Sequence, residues 1–203
     1  MNQDPSLPSP SIRLKMDAAQ FSVFVPELSQ GVGLDVQLSC AIEQLVCGEL
    51  GVAPEYLDDR IQTVFLNSKA IDDVATATVT PGSVLALSAA MPGVAGATLR
   101  KGGRYAPMRQ AISYETAADP ACRTRGTITL KLFNMIAREI GPAIMQRGVR
   151  LPAVRIAKLI DKNADDLAPA VTDILLDDRP VSLSELQAAC ERLGDAEVRL
   201  AVE

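Results

Sequence analysis

A chain of 203 residues with 48% apolar residues, only 3% aromatic and no tryptophan can bury a core of Ala, Val, Leu and Ile, which excludes a disordered chain. Its net charge of -5 excludes non-specific coating of nucleic acid, because that binding needs a basic surface to displace counterions. Histidine is absent, which removes the usual general base and the commonest zinc ligand together, so serine and cysteine triads of the familiar kind are excluded.

The first residues, MNQDPSLPSPS, are polar and proline-rich, and residues 1–11 read as a loose tail. Ile12, Leu14 and Met16 alternate with Arg13 and Lys15 as a strand with one wet face. Phe21, Val23 and Val25 alternate again, as do Leu34, Val36 and Leu38, which predicts two more strands. The period then changes: Ile42, Leu45, Val46 and Leu50 fall at helical spacing, with Ser39 as N-cap and Gly51 as stop. On such a helix Cys40 and Cys47 lie about 10 Å apart, too far for a disulfide. No Cys-x-x-Cys spacing occurs among Cys40, Cys47, Cys122 and Cys190, so reduced thiols and a cytoplasmic location are expected. Val64 to Leu66 reads as a strand ending in the turn Asn67-Ser68, and Thr80-Pro81-Gly82-Ser83 as a turn into the strand Val84 to Leu87. Val74 to Leu99 carries no charge, but its prolines, glycines and threonines break a spanning helix, so no membrane span is expected.

The segment TVFLNSKAIDDVATATVTPGSVLALSAAM, followed by Gly102-Gly103, resembles the second half of a β-grasp domain of the ubiquitin-like, sulfur-carrier kind, as in the molybdopterin synthase small subunit. Asn67-Ser68-Lys69 stands where that family has its first turn, and Pro81-Gly82-Ser83-Val84 where it has its second. The resemblance implies a β-grasp fold over residues 12–103. It also implies a carrier terminus at Gly102 and Gly103, which would require cleavage after Gly103 because the chain runs on.

Residues 104–126 read as a basic connector. Between Arg100 and Arg125 six basic residues (Arg100, Lys101, Arg104, Arg109, Arg123, Arg125) face two acidic ones, Glu115 and Asp119. With Tyr105 as an aromatic anchor, this strip is the expected contact for an acidic protein partner.

Residues 127–203 read as a second, α+β domain. Ile128, Leu130 and Leu132 form a strand, and Phe133, Ile136, Ile140 and Ile144 a helical stripe interrupted at Gly141-Pro142. Val154 to Ile160 reads as a short basic helix, and Ile174 to Leu176 as a strand turning at Asp177-Asp178-Arg179-Pro180. Ser182-Leu183-Ser184-Glu185 fits a capping box, Gly194 stops the helix, and Val198, Leu200 and Val202 alternate as a last strand, with Cys190 in the core. No repeat between the two halves is evident at this level.

The Gly-rich stretch from Gly93 to Gly103 lacks the Lys-Ser/Thr ending of a phosphate loop, and no Gly-x-Gly-x-x-Gly occurs. The paired carboxylates Asp58-Asp59, Asp72-Asp73, Asp165-Asp166 and Asp177-Asp178 read as solvated turns. No metal and no cofactor is expected. The composite expectation is an α+β protein, a β-grasp-like domain followed by a small α+β domain, acting as a non-enzymatic binding module. A carrier precursor, and a histidine-free enzyme or small-ligand protein with an inter-domain site, are the alternatives.

Overall fold

The computed structural model describes residues 9–90, 96, 99–101 and 124–203. The chain is α+β: helices with mixed sheets. The described residues group into two compact units. One, the middle unit, lies within Val25–Gly141. The other, the N/C unit, combines the chain up to Phe24 with Pro142–Glu203.

The middle unit contains β2 (Val32–Gln37), β3 (Thr63–Leu66), β4 (Lys69–Ala70), β5 (Val84–Ser88) and β6 (Arg125–Phe133), in the order β4-β3-β5-β6-β2. β5 and β6 run parallel at the centre, with β3 antiparallel to β5 and β2 antiparallel to β6. Alternate apolar residues of β2, β3, β5 and β6 are buried: Leu34 and Val36, Val64 and Leu66, Leu85 and Leu87, and Ile128, Leu130 and Leu132 all belong to the core. α1 (Val25–Gln30) packs on β6, and α2 (Pro54–Asp59) carries buried Leu57. The apolar stripe Ile42, Leu45, Val46 is fully buried as expected, but its regular part, Gln44–Glu49, is a π-helix, with Leu50 N–H donating to the Leu45 carbonyl at 2.9 Å. Ser39 is not its cap; it adopts φ 60° before the helix begins.

The N/C unit contains β1 (Ser11–Met16), β7 (Val149–Pro152), β8 (Val171–Leu176), β9 (Arg179–Pro180) and β10 (Glu197–Val202), in the order β7-β10-β1-β8-β9. Here β1 and β10 are the parallel pair, with β8 antiparallel to β1 and β7 antiparallel to β10. Phe21, Val23 and Val25, whose alternation suggested a strand, fall in a 3-10 helix (Ala18–Phe24) and at the start of α1; Phe24 is fully buried while Phe21 is not. The stripe after β6 divides where Gly141-Pro142 predicts, into α3 (Asn134–Glu139) and α4 (Gly141–Gln146). α5 (Ala153–Lys162), α6 (Ala164–Ala170) and α7 (Leu183–Leu193) complete the chain, and α5 packs on α7. The capping box forms: Glu185 N–H donates to Ser182 Oγ at 3.2 Å, and Ser182 N–H to Glu185 Oε2 at 2.7 Å.

The two halves of the chain share part of one pattern in sequence, and the two units share one sheet arrangement. Both halves run strand, helices, strand, helices, tight hairpin, strand, the C-terminal half inserting α7 between its hairpin and last strand. Ile12-Arg13-Leu14-Lys15 matches Ile128-Thr129-Leu130-Lys131, and Pro26 and Gln30 match Pro142 and Gln146 in the same spacing. Gly31-Val32-Gly33-Leu34 then matches Gly148-Val149-Arg150-Leu151, Ile42 and Leu45 match Ile156 and Leu159, and Leu57 matches Leu167. Both glycines have positive φ, 114° at Gly31 and 86° at Gly148, where a side chain would be strained. Hydrogen bonds recur between the two units by sheet position, in which β1 stands where β5 does and β10 where β6 does, and not by the residue matching above. Ile71 N–H donates to the Val64 carbonyl at 2.9 Å, as Val181 N–H does to that of Ile174 at 3.0 Å. Thr129 N–H donates to the Ser83 carbonyl at 2.8 Å, as Arg199 N–H does to that of Pro10 at 2.9 Å.

The first strand of each half joins the other half, β6 between β5 and β2 and β1 between β8 and β10. β1 completes the sheet of the C-terminal half, and β6 completes that of the N-terminal half.

Candidate groove on the middle unit

The core-facing residues of β3, β5 and β6 leave the alternate residues for the other face of the sheet. Phe65 faces Ala86 across the β3–β5 ladder, and Ala86 faces Lys131 across the β5–β6 ladder. These three, with Ser68, Val84, Ser88, Phe133 and Asn134, line a groove of about 450 Å³. Its breadth follows from the small side chains on the central strand. Ala86 and Ser88 stand between Phe65 and Phe133, so the two rings form walls instead of touching over a filled row.

Polar groups sit at defined points of the groove. Asn134, which adopts φ 55°, donates from Nδ2 to Ser88 Oγ at 3.1 Å and holds the turn from β6 into α3. Thr63, paired with Ser88 across the ladder but not lining the groove, is fully buried, and its Oγ1 has no hydrogen-bond partner among the described residues. Lys131 makes no ion pair among the described residues, and its stem lies along Gly31: a Cβ there would meet Lys131 Cε at 3.1 Å and Cγ at 3.2 Å. Met135, next to Asn134, is 49% exposed and adds apolar surface on the α3 side.

The strip expected to hold an acidic partner is only partly described. Lys101 is tied into the middle unit: its N–H donates to the Gln62 carbonyl at 2.7 Å, and its Nζ donates to the Leu57 carbonyl at 3.0 Å and meets Asp58 at 3.4 Å. Arg125, at the start of β6, pairs with Glu49 at 3.3 Å and donates to the Asp35 carbonyl at 3.3 Å. Arg100 is exposed. Gly102, Gly103, Arg104, Tyr105, Arg109 and Arg123 lie outside the described residues.

A second cavity, of about 530 Å³, is lined by Gln37, Leu38, Ser39, Cys40, Gln44, Gly48 and Glu49 beside the π-helix. Its thiol is not activated. Burial pushes the Cys40 thiol up from its ordinary value, and Glu49 raises it further. Cys47 is likewise raised, first by burial and then by the carboxylates around it. Glu49 accepts the N–H of Gln37 at 2.8 Å in addition to pairing with Arg125. Among the described residues no group of three or more metal-ligating side chains converges, and no helix is long and apolar enough to cross a membrane.

Comparison with protein-family models, curated proteins and solved structures finds no match to this chain. The groove therefore stands on its own geometry. Its signal in the sequence was faint: Phe65, Ala86 and Phe133 occupy outward positions of alternating strands, and only the pairing of β3, β5 and β6 assembles them.

Proposed function

We propose that this is a non-enzymatic, cytoplasmic binding protein that holds a protein partner on the outer face of the middle-unit sheet, with the basic strip from Arg100 to Arg125 as an accessory contact for acidic residues. The observation that carries the reading is the groove: apolar walls, a few polar groups at fixed points and one lysine are the composition of a recognition surface. The raised thiols of Cys40 and Cys47 fit binding better than nucleophilic chemistry. A mixed five-stranded sheet with a parallel central pair and helical segments between β2 and β3 supports a β-grasp-like reading of this unit, with β6 supplied from the far half of the chain.

The test is site-specific photo-crosslinking in the native cells, with the photoreactive residue placed either at Ala86 or at Arg13, the corresponding position of the N/C unit. Discrete adducts from position 86 and none from position 13 are expected. Equal labelling from both, or none from 86, overturns the docking face. Charge reversal at Arg104 and Arg109 that leaves the adducts from position 86 unchanged removes the basic strip from the proposal.

A further inference from the structure

Resting on that docking face, we infer that the groove recognises a protein segment in which a large apolar side chain stands next to a carboxylate. The two units supply the argument, compared strand by strand at the same place in their sheets. In the middle unit β3 pairs with β5 so that Leu66 faces Leu85, Phe65 faces Ala86 and Thr63 faces Ser88. In the N/C unit β8 pairs with β1 in the same way, so that Leu176 faces Ile12, Leu175 faces Arg13 and Asp173 faces Lys15. The buried row is alike in both, but the outward row differs. Where the N/C unit has Arg13, the middle unit has Ala86, and where it has the Lys15–Asp173 cross-strand pair, the middle unit has Ser88 and Thr63.

The Arg13 guanidinium forms an ion pair with Asp178 in the hairpin turn. The residue matching Asp178 in the middle unit is Ser68. The N/C unit thus places its own cation and carboxylate across this row. The middle unit leaves the row clear over Phe65 and puts a cation on the adjacent strand, Lys131, without a carboxylate partner among the described residues. Gly31 lets the Lys131 stem lie flat against β2, which limits the ammonium's freedom before any ligand arrives.

An apolar side chain entering between Phe65 and Phe133 displaces water from the groove, and a neighbouring carboxylate then meets Lys131 in a medium of lowered dielectric. A cation at the same place is repelled. Charge therefore sets selectivity, and the apolar walls set the bulk of the affinity.

The experiment titrates the ¹⁵N-labelled full chain with N-acetyl-Phe-Asp-amide, N-acetyl-Phe-Asn-amide, N-acetyl-Phe-Lys-amide and decanoate. The Asp peptide is expected to shift the amides of Phe65, Ala86, Lys131 and Phe133 and to bind about tenfold tighter than the Asn peptide, with the Lys peptide weakest. Lys131→Ala is expected to reduce the Asp peptide to the level of the Asn peptide. Ala86→Arg with Ser68→Asp transplants the N/C unit's own pair and is expected to abolish binding of all three, with amides far from the groove unmoved.

Equal binding of the Asp and Asn peptides, lost in the double variant, overturns the carboxylate preference and leaves the docking face standing. Silence of every probe at the groove overturns both. Decanoate binding tightly where the peptides are silent replaces the protein segment by a lipid acid. Because Lys131→Ala removes no buried apolar group, the charge element remains testable if the double variant folds poorly.

Discussion

Asn67 and Val84 are joined twice: Val84 N–H donates to Asn67 Oδ1 at 2.8 Å, and Asn67 N–H donates to the Val84 carbonyl at 2.9 Å. The N/C unit repeats the arrangement with different residues: Ser11 N–H donates to Asp177 Oδ1 at 2.8 Å, and Asp177 N–H to the Ser11 carbonyl at 2.8 Å. In each unit the tight hairpin seizes the start of the neighbouring strand, β5 in one and β1 in the other. Asn67 and Asp177 are also the first left-handed residues of their turns, with φ of 51° and 49°. We predict that Asn67→Ala costs about 2 kcal/mol, since it loses a backbone-directed hydrogen bond and places alanine in a left-handed conformation. Asn67→Gly, which relieves the conformation alone, is expected to cost roughly half as much. Urea denaturation of the two variants separates the terms, and equal losses would show that the turn conformation contributes nothing.

Strand exchange makes each half depend on the other. A fragment ending at Gln110 lacks β6, a central strand of the middle unit, and the complementary fragment lacks β1, a central strand of the N/C unit. Each fragment alone is predicted to give a poorly dispersed amide spectrum, and a mixture of the two to recover the spectrum of the intact chain. A well-dispersed spectrum from either fragment by itself would contradict mutual dependence.

Tyr56 donates to Glu139 Oε2 at 2.5 Å, and Arg60 pairs with the other oxygen of that carboxylate at 2.5 Å, linking α2 to α3. Burial, then the hydrogen bond to Glu139, raises the tyrosine above its ordinary value. Arg60, and next Tyr56, hold the Glu139 carboxyl below its own. A raised folded value means that the tyrosine's contribution is complete below its unfolded pKa of about 10 and is lost as the pH climbs past it. Of the three tyrosines, one is therefore predicted to form phenolate last in an alkaline absorbance titration. Tyr56→Phe should remove that late component and cost about 1 kcal/mol at neutral pH.

Cys190, on the inner face of α7, is fully buried, and burial pushes its thiol up to about 11. The group favours folding while it stays protonated, so its contribution holds below the ordinary thiol range and declines as the pH rises toward 11. Cys190 is predicted to be silent to a disulfide reagent at pH 8 in the native protein and to react only at the rate at which the unit opens. Fast native labelling that disappears in Cys190→Ser would refute its place in the core.

At the start of α7, Ser182→Ala is predicted to cost about 1 kcal/mol. The backbone N–H of Ser182, then its hydroxyl, holds the Glu185 carboxyl below its ordinary value. That contribution is present above the unfolded carboxyl pKa of about 4.3 and disappears as the pH falls through the lower folded value. Glu185→Gln should therefore flatten the acid side of the stability profile, and an unchanged acid limb would show that the box is broken in solution.

Much of the local structure was legible because it is dictated by neighbours in sequence. The capping box at Ser182, the hairpin turn at Asn67-Ser68 and the helix break at Gly141-Pro142 each rest on a few adjacent residues, and each formed where their chemistry places it. Phe21 to Val25 misled because a two-residue alternation over five residues also fits a short 3-10 helix, which buries Phe24 and leaves Phe21 partly exposed. The likeness of the two units stayed hidden because it lies in strand pairing and hairpin hydrogen bonds between residues distant in sequence, which no local pattern reveals.

By itself, then, the sequence determined an α+β chain without histidine chemistry, with strands and helices whose inward faces are aliphatic. Only the tertiary structure decided that β1 and β6 trade halves, because pairing between distant strands depends on hydrogen-bond partners that no local pattern specifies. The same pairing decided the groove. Ala86 is an ordinary small residue in a strand until β3 brings Phe65 to one side of it and β6 brings Lys131 to the other.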